Sequence, residues 1–286
     1  MDREEALAKL NTVYIISKGR PQCWTACTLE KMGYPGEWFI VCGNNDETLP
    51  EYRELWGERV LVFDWYEQVK TTDPMDGFGF DTMASGACPV RNATAEISRR
   101  RGERRHWQLD DDYTGFQVYD GSTGKRPRIR DGRLLHDKML ELAEFADRCG
   151  LSNCGFPPST IETGGDWALI IGRRVFNAHN LPSGGELFEL WRARMNDDLI
   201  NAINVWRHGG AELSVKYLAM NMPATQSEDG GLSELYRDEG TVRKTAYAVM
   251  ACPSSVKLVQ KFGRYHHKAN WQRIAPKLVS DGYARA

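Results

Sequence analysis

With 286 residues, 41% of them hydrophobic and 27% charged, the chain can bury a large core in one or two domains and is neither disordered nor fibrous. A net charge of -2 excludes a polycation, though not a local basic face that holds nucleic acid. No apolar run reaches membrane-spanning length, and Met1-Asp-Arg-Glu-Glu5 lacks a signal core. The seven scattered cysteines have no paired zinc spacing, so a cytoplasmic protein with reduced thiols is expected.

Residues 3–10 make a short helical lead-in. Thr12–Ile16 reads as a buried strand, because β-branched and aromatic residues run together without a helical period. In Ser17-Lys-Gly-Arg-Pro21, Gly19 permits a tight turn and Pro21 suits a first helical position, while Lys18 and Arg20 add positive charge. An anion site and a plain surface turn both fit this segment, which lacks a Walker or dinucleotide fingerprint.

Residues 22–32 read as a helix ending near Gly33, Glu37–Cys42 as a strand with the exit loop Gly43–Asp46, 47–56 as a helix, and Arg59–Phe63 as a third strand running into Asp64. Repeated β-loop-α units predict a parallel sheet with right-handed crossovers, and such sheets bind ligands beyond the carboxyl ends of their strands. Ser17–Pro21, Asn44–Asp46 and Asp64 should therefore line one crevice. Asp64 either accepts hydrogen bonds from a base or ribose, or caps a helix or turn.

Residues 66–83, rich in Asp and Gly around Phe78 and Phe80, predict a mobile loop over the site. Residues 88–101 suit a helix with Arg91, Asn92 and Ala95 on nearby faces, Arg91 toward phosphate and Asn92 toward a sugar hydroxyl. The run Arg99–Arg105 is either a solvated helix end or a nucleic-acid contact. His106–Leu109 is the next strand, and it delivers Asp110, Asp111 and Asp112. Alternation sends Asp110 and Asp112 to one side and Asp111 to the other. Two like charges on one side repel unless a cation lies between them, and hard oxygen ligands suit Mg²⁺ or Mn²⁺. A solvated acidic turn is the plainer alternative.

Beyond lie a strand at Phe116–Tyr119, a second basic patch at Lys125–Arg130 and an amphipathic helix at 132–148. Strands are expected at Trp167–Ile171 and near Val175-Phe176, a strand or short helix at 184–190, and a late strand at Val215–Met220. Asn196-Asp-Asp198 precedes a helix at Leu199–Arg207 closed by Gly209-Gly210. Asn196 suits the N-cap and the two aspartates suit the first turn, unless one of them faces the crevice as a general base. Residues 224–244 read as a flexible loop that orders on ligand. The tail carries His266 and His267, solvated or completing a cation's shell.

Taken together, Ile16–Pro21, Asp110–Asp112 after a strand, Asn196–Asp198 before a helix and a late His-His make the chain resemble a GT-A glycosyltransferase. More narrowly, it resembles the TET-associated glycosyltransferases of bacteriophages, relatives of the kinetoplastid base J glucosyltransferase, over roughly residues 12–275. The resemblance implies a single α/β GT-A-like domain, with a mostly parallel Rossmann-like nucleotide-binding half (12–113) and a mixed-sheet acceptor half (114–286). It also implies transfer of a sugar from a UDP-sugar to a 5-hydroxymethylpyrimidine in DNA, 5-hydroxymethylcytosine first among them, in the host cytoplasm if phage-encoded. Ser17, Lys18, Gly19, Arg20 and Pro21 match the nucleotide loop, and Asn44, Asp64, Arg91, Asn92 and Asp111 join the donor site. Asp110 and Asp112 match the Mn²⁺ or Mg²⁺ motif, and His266 and His267 the late metal or diphosphate contact. Asp198, with Asp197 beside it, falls where inverting members keep their base. The basic patches would track DNA phosphates, and Trp107, Phe78 or Trp271 would stack on a flipped or single-stranded base. The competing readings are a glycosyltransferase for a small molecule or protein, a metal-dependent nuclease or nucleotidyltransferase, and a DNA-binding module without chemistry.

Overall fold

In the first third of the chain, buried apolar runs alternate with short helical segments. The computed structural model, which describes residues 3–76, 86–160, 169–223, 233–261 and 263–275, turns that alternation into a sheet with helical crossovers. Helix α1 (Arg3–Ala8) precedes β1 (Thr12–Ile16), α2 (Trp24–Lys31), β2 (Trp38–Gly43), α3 (Leu49–Trp56), β3 (Val60–Phe63) and α4 (Trp65–Thr71). Then come α5 (Cys88–Arg100), β4 (Arg105–Asp110), β5 (Gly115–Val118), α6 (Gly132–Arg148), β6 (Asn153–Phe156), β7 (Leu169–Ile171) and β8 (Ala178–Pro182). The remainder holds α7 (Asp197–Arg207), β9 (Glu212–Val215), β10 (Leu218–Asn221), α8 (Ser233–Ala251), β11 (Val256–Lys261), β12 (Arg264–Ala269) and α9 (Trp271–Ile274).

Eight strands form one sheet in the order β3-β2-β1-β4-β8-β6-β9-β7. The first four pair in parallel, as the βα repeats require. Strand β8 runs antiparallel to β4 and β6, and β7 antiparallel to β9, while β6 and β9 are parallel. The α/β expectation of a parallel half and a mixed half is what the chain adopts, with both halves sharing this sheet. Two small antiparallel pairs, β10-β5 and β11-β12, complete the strands, and no helix among the described residues is long and apolar enough to cross a membrane.

Strand alternation gives the middle of the sheet two different faces. Trp107, Leu109, Cys154, Phe156, Leu213 and Val215 point into the main apolar core, which α6 seals with Leu135, Met139, Leu142 and Ala146. His106, Gln108, Asn153, Glu212 and Ser214 occupy alternate positions on the same strands, with His179 of β8 beside Gln108, all buried. That second, polar face leads toward the carboxyl end of β4.

Several boundaries differ from expectation. Residues 65–71 are helical because the Asp64 carboxylate accepts from the Tyr66 and Glu67 amides, so the loop expected at 66–83 begins later; Phe78 and Phe80 lie outside the described residues. The strand expected near Val175-Phe176 starts at Ala178, and 184–190 form neither strand nor helix. Val215–Met220 splits between β9 and β10, which belong to different sheets. From Ser233 onward the expected flexible loop is the helix α8, and the histidine tail is the hairpin strand β12, packed on α8.

Candidate active site

The three aspartates at the end of β4 part company as their alternation requires. Asp110 faces α5: its Oδ1 accepts from Arg91 Nη2 (3.1 Å) and its Oδ2 from Asn177 Nδ2 (2.9 Å). Asp111 turns to the end of β1, accepting from Ser17 Oγ (2.5 Å) and from Arg20 Nη1 (2.9 Å). Ser17 also shares a 2.5 Å hydrogen bond with the Tyr52 hydroxyl, which accepts from the Arg20 amide at 2.9 Å. Gly19, at φ +68° in a region glycine tolerates, donates its amide to Asp46 (2.9 Å), and Asn44 accepts from the Trp65 amide (2.9 Å). The exits of β1, β2 and β3 thus adjoin, as the parallel topology predicted. Pro21, however, stops short of α2, whose N-cap is Cys23 in a left-handed conformation.

Asp112 is the unusual member. Its Oδ1 is buried with no hydrogen-bond partner among the described residues. Burial first, then the neighbouring Asp110 and Asp111, push its carboxyl up to about 7.

Helix α7 brings its first turn to the same place. Asp197 accepts from Arg91 Nε (3.0 Å), so one guanidinium, only 4% exposed, bridges Asp110 and Asp197. Burial raises the Asp197 carboxyl, with Arg91 opposing. Asp198 is less buried, pairs with Arg174 Nη1 at 3.0 Å and accepts from the Leu199 amide (2.7 Å). Asn196 does not cap α7 with its side chain; it takes a left-handed conformation (φ 59°) and donates to the Lys244 carbonyl (2.6 Å). From β12, His267 reaches the electrostatic neighbourhood of Arg174, Asp198 and Lys244, while His266 is more exposed at the alternate position. Burial, with Arg174 adding to it, lowers His267 to about 4, so its imidazole is neutral at pH 7.

Does this set suit a divalent cation? Among the described residues no group of three or more His, Cys, Asp or Glu side chains is arranged as a complete metal cage. Two carboxylates suffice when a substrate's phosphates supply the other oxygens. Asp112 offers an orphaned buried oxygen, and Asp110, though engaged by Arg91 and Asn177, keeps further lone pairs. The donor chemistry fits.

Other expected contacts are committed elsewhere. Asn92 donates to the Trp191 carbonyl (3.0 Å) and accepts from the Trp191 amide (2.9 Å), which ties its side chain to the 188–196 segment rather than to a sugar. Asp64 is the α4 cap described above. Arg91 lies behind the carboxylates, 4.7 Å over the Trp191 ring, instead of offering itself openly to phosphate. Lys18 sits 5.2 Å over Trp65. Trp107 is fully buried and donates to Asn11 (2.9 Å), so it cannot stack on a base, and Trp271 packs against the core. Sequence reading missed Arg174, Asn177 and Tyr52. The Arg173-Arg174 doublet after Gly172 is the one local signal the sequence offers for them, and nothing in it points to Asp198.

The two basic patches differ. Arg99 and Arg100 pair with Glu96, Arg101 with Glu37 and Glu103, and Arg104 with Asp147, at the end of β4 away from its aspartates. Four of the five arginines in that run are thus met by carboxylates, and the fifth, Arg105, is buried and donates to Asn180 and the Leu151 carbonyl. Lys125, Arg126, Arg128 and Arg130 are exposed and make no ion pair among the described residues. Their segment lies along β5, bridging Gln117 to Arg128, with Arg128 donating to the Thr114 carbonyl close to Asp112.

Against known families, the sequence model described as TET-Associated Glycosyltransferase matches residues 11–181, more than half of the chain. The chain belongs to that family. The matched span holds the loops after β1, β2 and β3, Arg91, the acidic turn and Asn177; α7 and the His267 hairpin lie beyond it. A search of curated proteins finds no match. Among solved structures, a "mannose-1-phosphate geranyltransferase" from Thermus thermophilus is similar at 12% identity and a TM-score of 0.34, over 86% of this chain and 65% of that one. The chain therefore spans less than two thirds of the length of that protein.

Proposed function

We propose that this glycosyltransferase moves a sugar from a UDP-sugar to the hydroxyl of a 5-hydroxymethylpyrimidine in DNA, with 5-hydroxymethylcytosine the first acceptor to try. The observation that carries the reading is the convergence of Asp110 and Asp112, Asp198 and His267, from three separated stretches, on one end of the sheet. Asp110 and Asp112 would hold Mn²⁺ or Mg²⁺, which supplies Lewis-acid stabilisation of the departing diphosphate. Ser17 and the Gly19 turn receive the nucleotide, Arg174 and His267 lie within reach of its charge, and Asp198 takes the proton from the acceptor hydroxyl. The family match speaks against a nuclease or a module without chemistry.

The test is mass spectrometry of nucleosides from hydroxymethylated DNA incubated with the protein, mixed sugar nucleotides and Mn²⁺. A glycosylated hydroxymethylpyrimidine is expected from the wild type and none from Asp110→Ala/Asp112→Ala. Sugar transfer only to small acceptors or protein would defeat the DNA reading.

Charge exposure separates the two patches experimentally. Lys125→Ala/Arg126→Ala/Arg130→Ala should raise the Kd for DNA and flatten the salt dependence of binding, by about 0.7 in log–log slope for each single-strand phosphate no longer neutralised. Arg99→Ala/Arg100→Ala/Arg104→Ala should leave that slope unchanged. Equal slopes for both triples would show that the 125–130 edge touches no phosphate.

A further inference from the structure

Beneath α5 the polar face of the sheet continues past the aspartates into the interior. Glu212, 1% exposed, starts β9 in register beside Asn153 of β6 and accepts from its Nδ2 (2.9 Å). The other carboxyl oxygen accepts from the backbone N–H of Val175 (3.3 Å). Val175 sits in the turn 172–177, which has no helix or strand of its own. Its side chain is buried over Gly155, where an added Cβ would come within 2.6 Å of Val175 Cγ1. The residue before Val175 is Arg174, which grips Asp198, and two residues after it is Asn177, left-handed at φ 57° and bonded to Asp110. One buried carboxyl group therefore anchors the turn that feeds both ends of the site.

We propose that Glu212 is a positioning residue for sugar transfer, seating the 172–177 turn so that Arg174 meets Asp198 and Asn177 meets Asp110. This rests on the glycosyltransferase site proposed above. A carboxyl in this place also makes the anchor sensitive to pH. Burial, above all, pushes Glu212 up to about 8; Asn153 and the Val175 amide hold it down, Asp198 of α7 raises it and Arg174 of the turn lowers it. One step further, through Asn153, lies His179 of β8, which burial keeps neutral. The folded pKa is raised, so the neutral carboxyl's contribution is full below the unfolded value and is lost as pH rises through about 8. Above that the turn rests on a buried charge that faces Asp198.

Glu212→Gln keeps the shape and one of the two acceptor oxygens, with an NH2 in place of the other, and does not titrate. At pH 7 it should transfer sugar within about threefold of wild type, and at pH 9 it should exceed wild type by roughly tenfold, the protonated fraction falling by that factor one unit above the pKa. Glu212→Ala, which leaves the Val175 amide and Asn153 unanswered, should lose at least about tenfold in kcat/KM at pH 7. A Glu212→Gln profile superimposed on that of the wild type, or a Glu212→Ala variant within about twofold of it, overturns the proposal. Thermal midpoints give a readout independent of activity: that of the wild type should fall relative to Glu212→Gln as pH rises from about 4.5 to about 8, and level off above it. Diverging midpoints with no transfer from any of the three proteins would uphold the anchor and overturn the glycosyltransferase reading instead.

Discussion

Asp198→Asn should lower kcat for transfer by about 10²–10⁴-fold, the range for removal of a general base, with the KM for the donor held within about threefold. The substitution is nearly isosteric, and an Asn oxygen still accepts the Leu199 amide that Asp198 accepts now. Arg174 loses its carboxylate partner, but both side chains are about a fifth exposed, at 21% and 22%, so water softens the cost to stability. Asp197→Asn should show the opposite pattern. That carboxylate is turned toward Arg91 behind the crevice, and its replacement removes one side of a buried bridge. Asp197→Asn should therefore shift the urea midpoint more than it shifts kcat at a temperature where the fold survives. Asp198→Asn retaining more than about a tenth of wild-type kcat would take the base role away from this residue.

How far the sequence carries this site depends on which interactions are local. The strands of the parallel half and the helices at 88–100, 132–148 and 197–207 declare themselves through burial period and capping residues, and their bounds match within a residue or two. Asp110–Asp112 was legible because an acidic triplet at a strand end is a local anomaly, and the opposed directions of Asp110 and Asp111 follow from the pleat. The partners of those carboxylates were not legible. Arg91, Asn177 and Arg174 reach them across the fold, and no spacing in the chain encodes which cation meets which anion. The same holds for Asn92: a polar residue on a helix face looks like a ligand contact until the irregular 188–196 segment is found lying across it. Charge runs mislead for a related reason. Arg99–Arg105 and Lys125–Arg130 look alike as text, yet only the first is answered by Glu96, Glu103, Glu37 and Asp147. The histidine pair was ambiguous on a segment read as a polar tail; once it is a strand, alternation separates His267 from His266.

Arg91→Leu should be the most destabilising single substitution at the site, costing about 3–5 kcal/mol, the penalty for leaving a buried ion pair without one partner. The guanidinium is 4% exposed and donates to Asp110 (3.1 Å) and Asp197 (3.0 Å), while its face lies 4.7 Å from the Trp191 ring. Removing it strands two carboxylates against each other in a region that already holds Asp112 and Asp198. Lysine does not rescue the arrangement, because one ammonium cannot span both acceptors as the planar fork does. Arg91→Lys should therefore recover less than about half of the missing stability. Replacing the acids tests the same balance from the other side: Asp197→Asn in the Arg91→Leu background should cost less than simple addition of the two changes predicts, since the removed charge no longer has a partner to lose. Denaturant midpoints of the four proteins, taken at one pH, give the coupling. A strictly additive cycle would mean that the Arg91–Asp197 contact contributes nothing, and that the crevice keeps its carboxylates in place by some means other than the shared guanidinium.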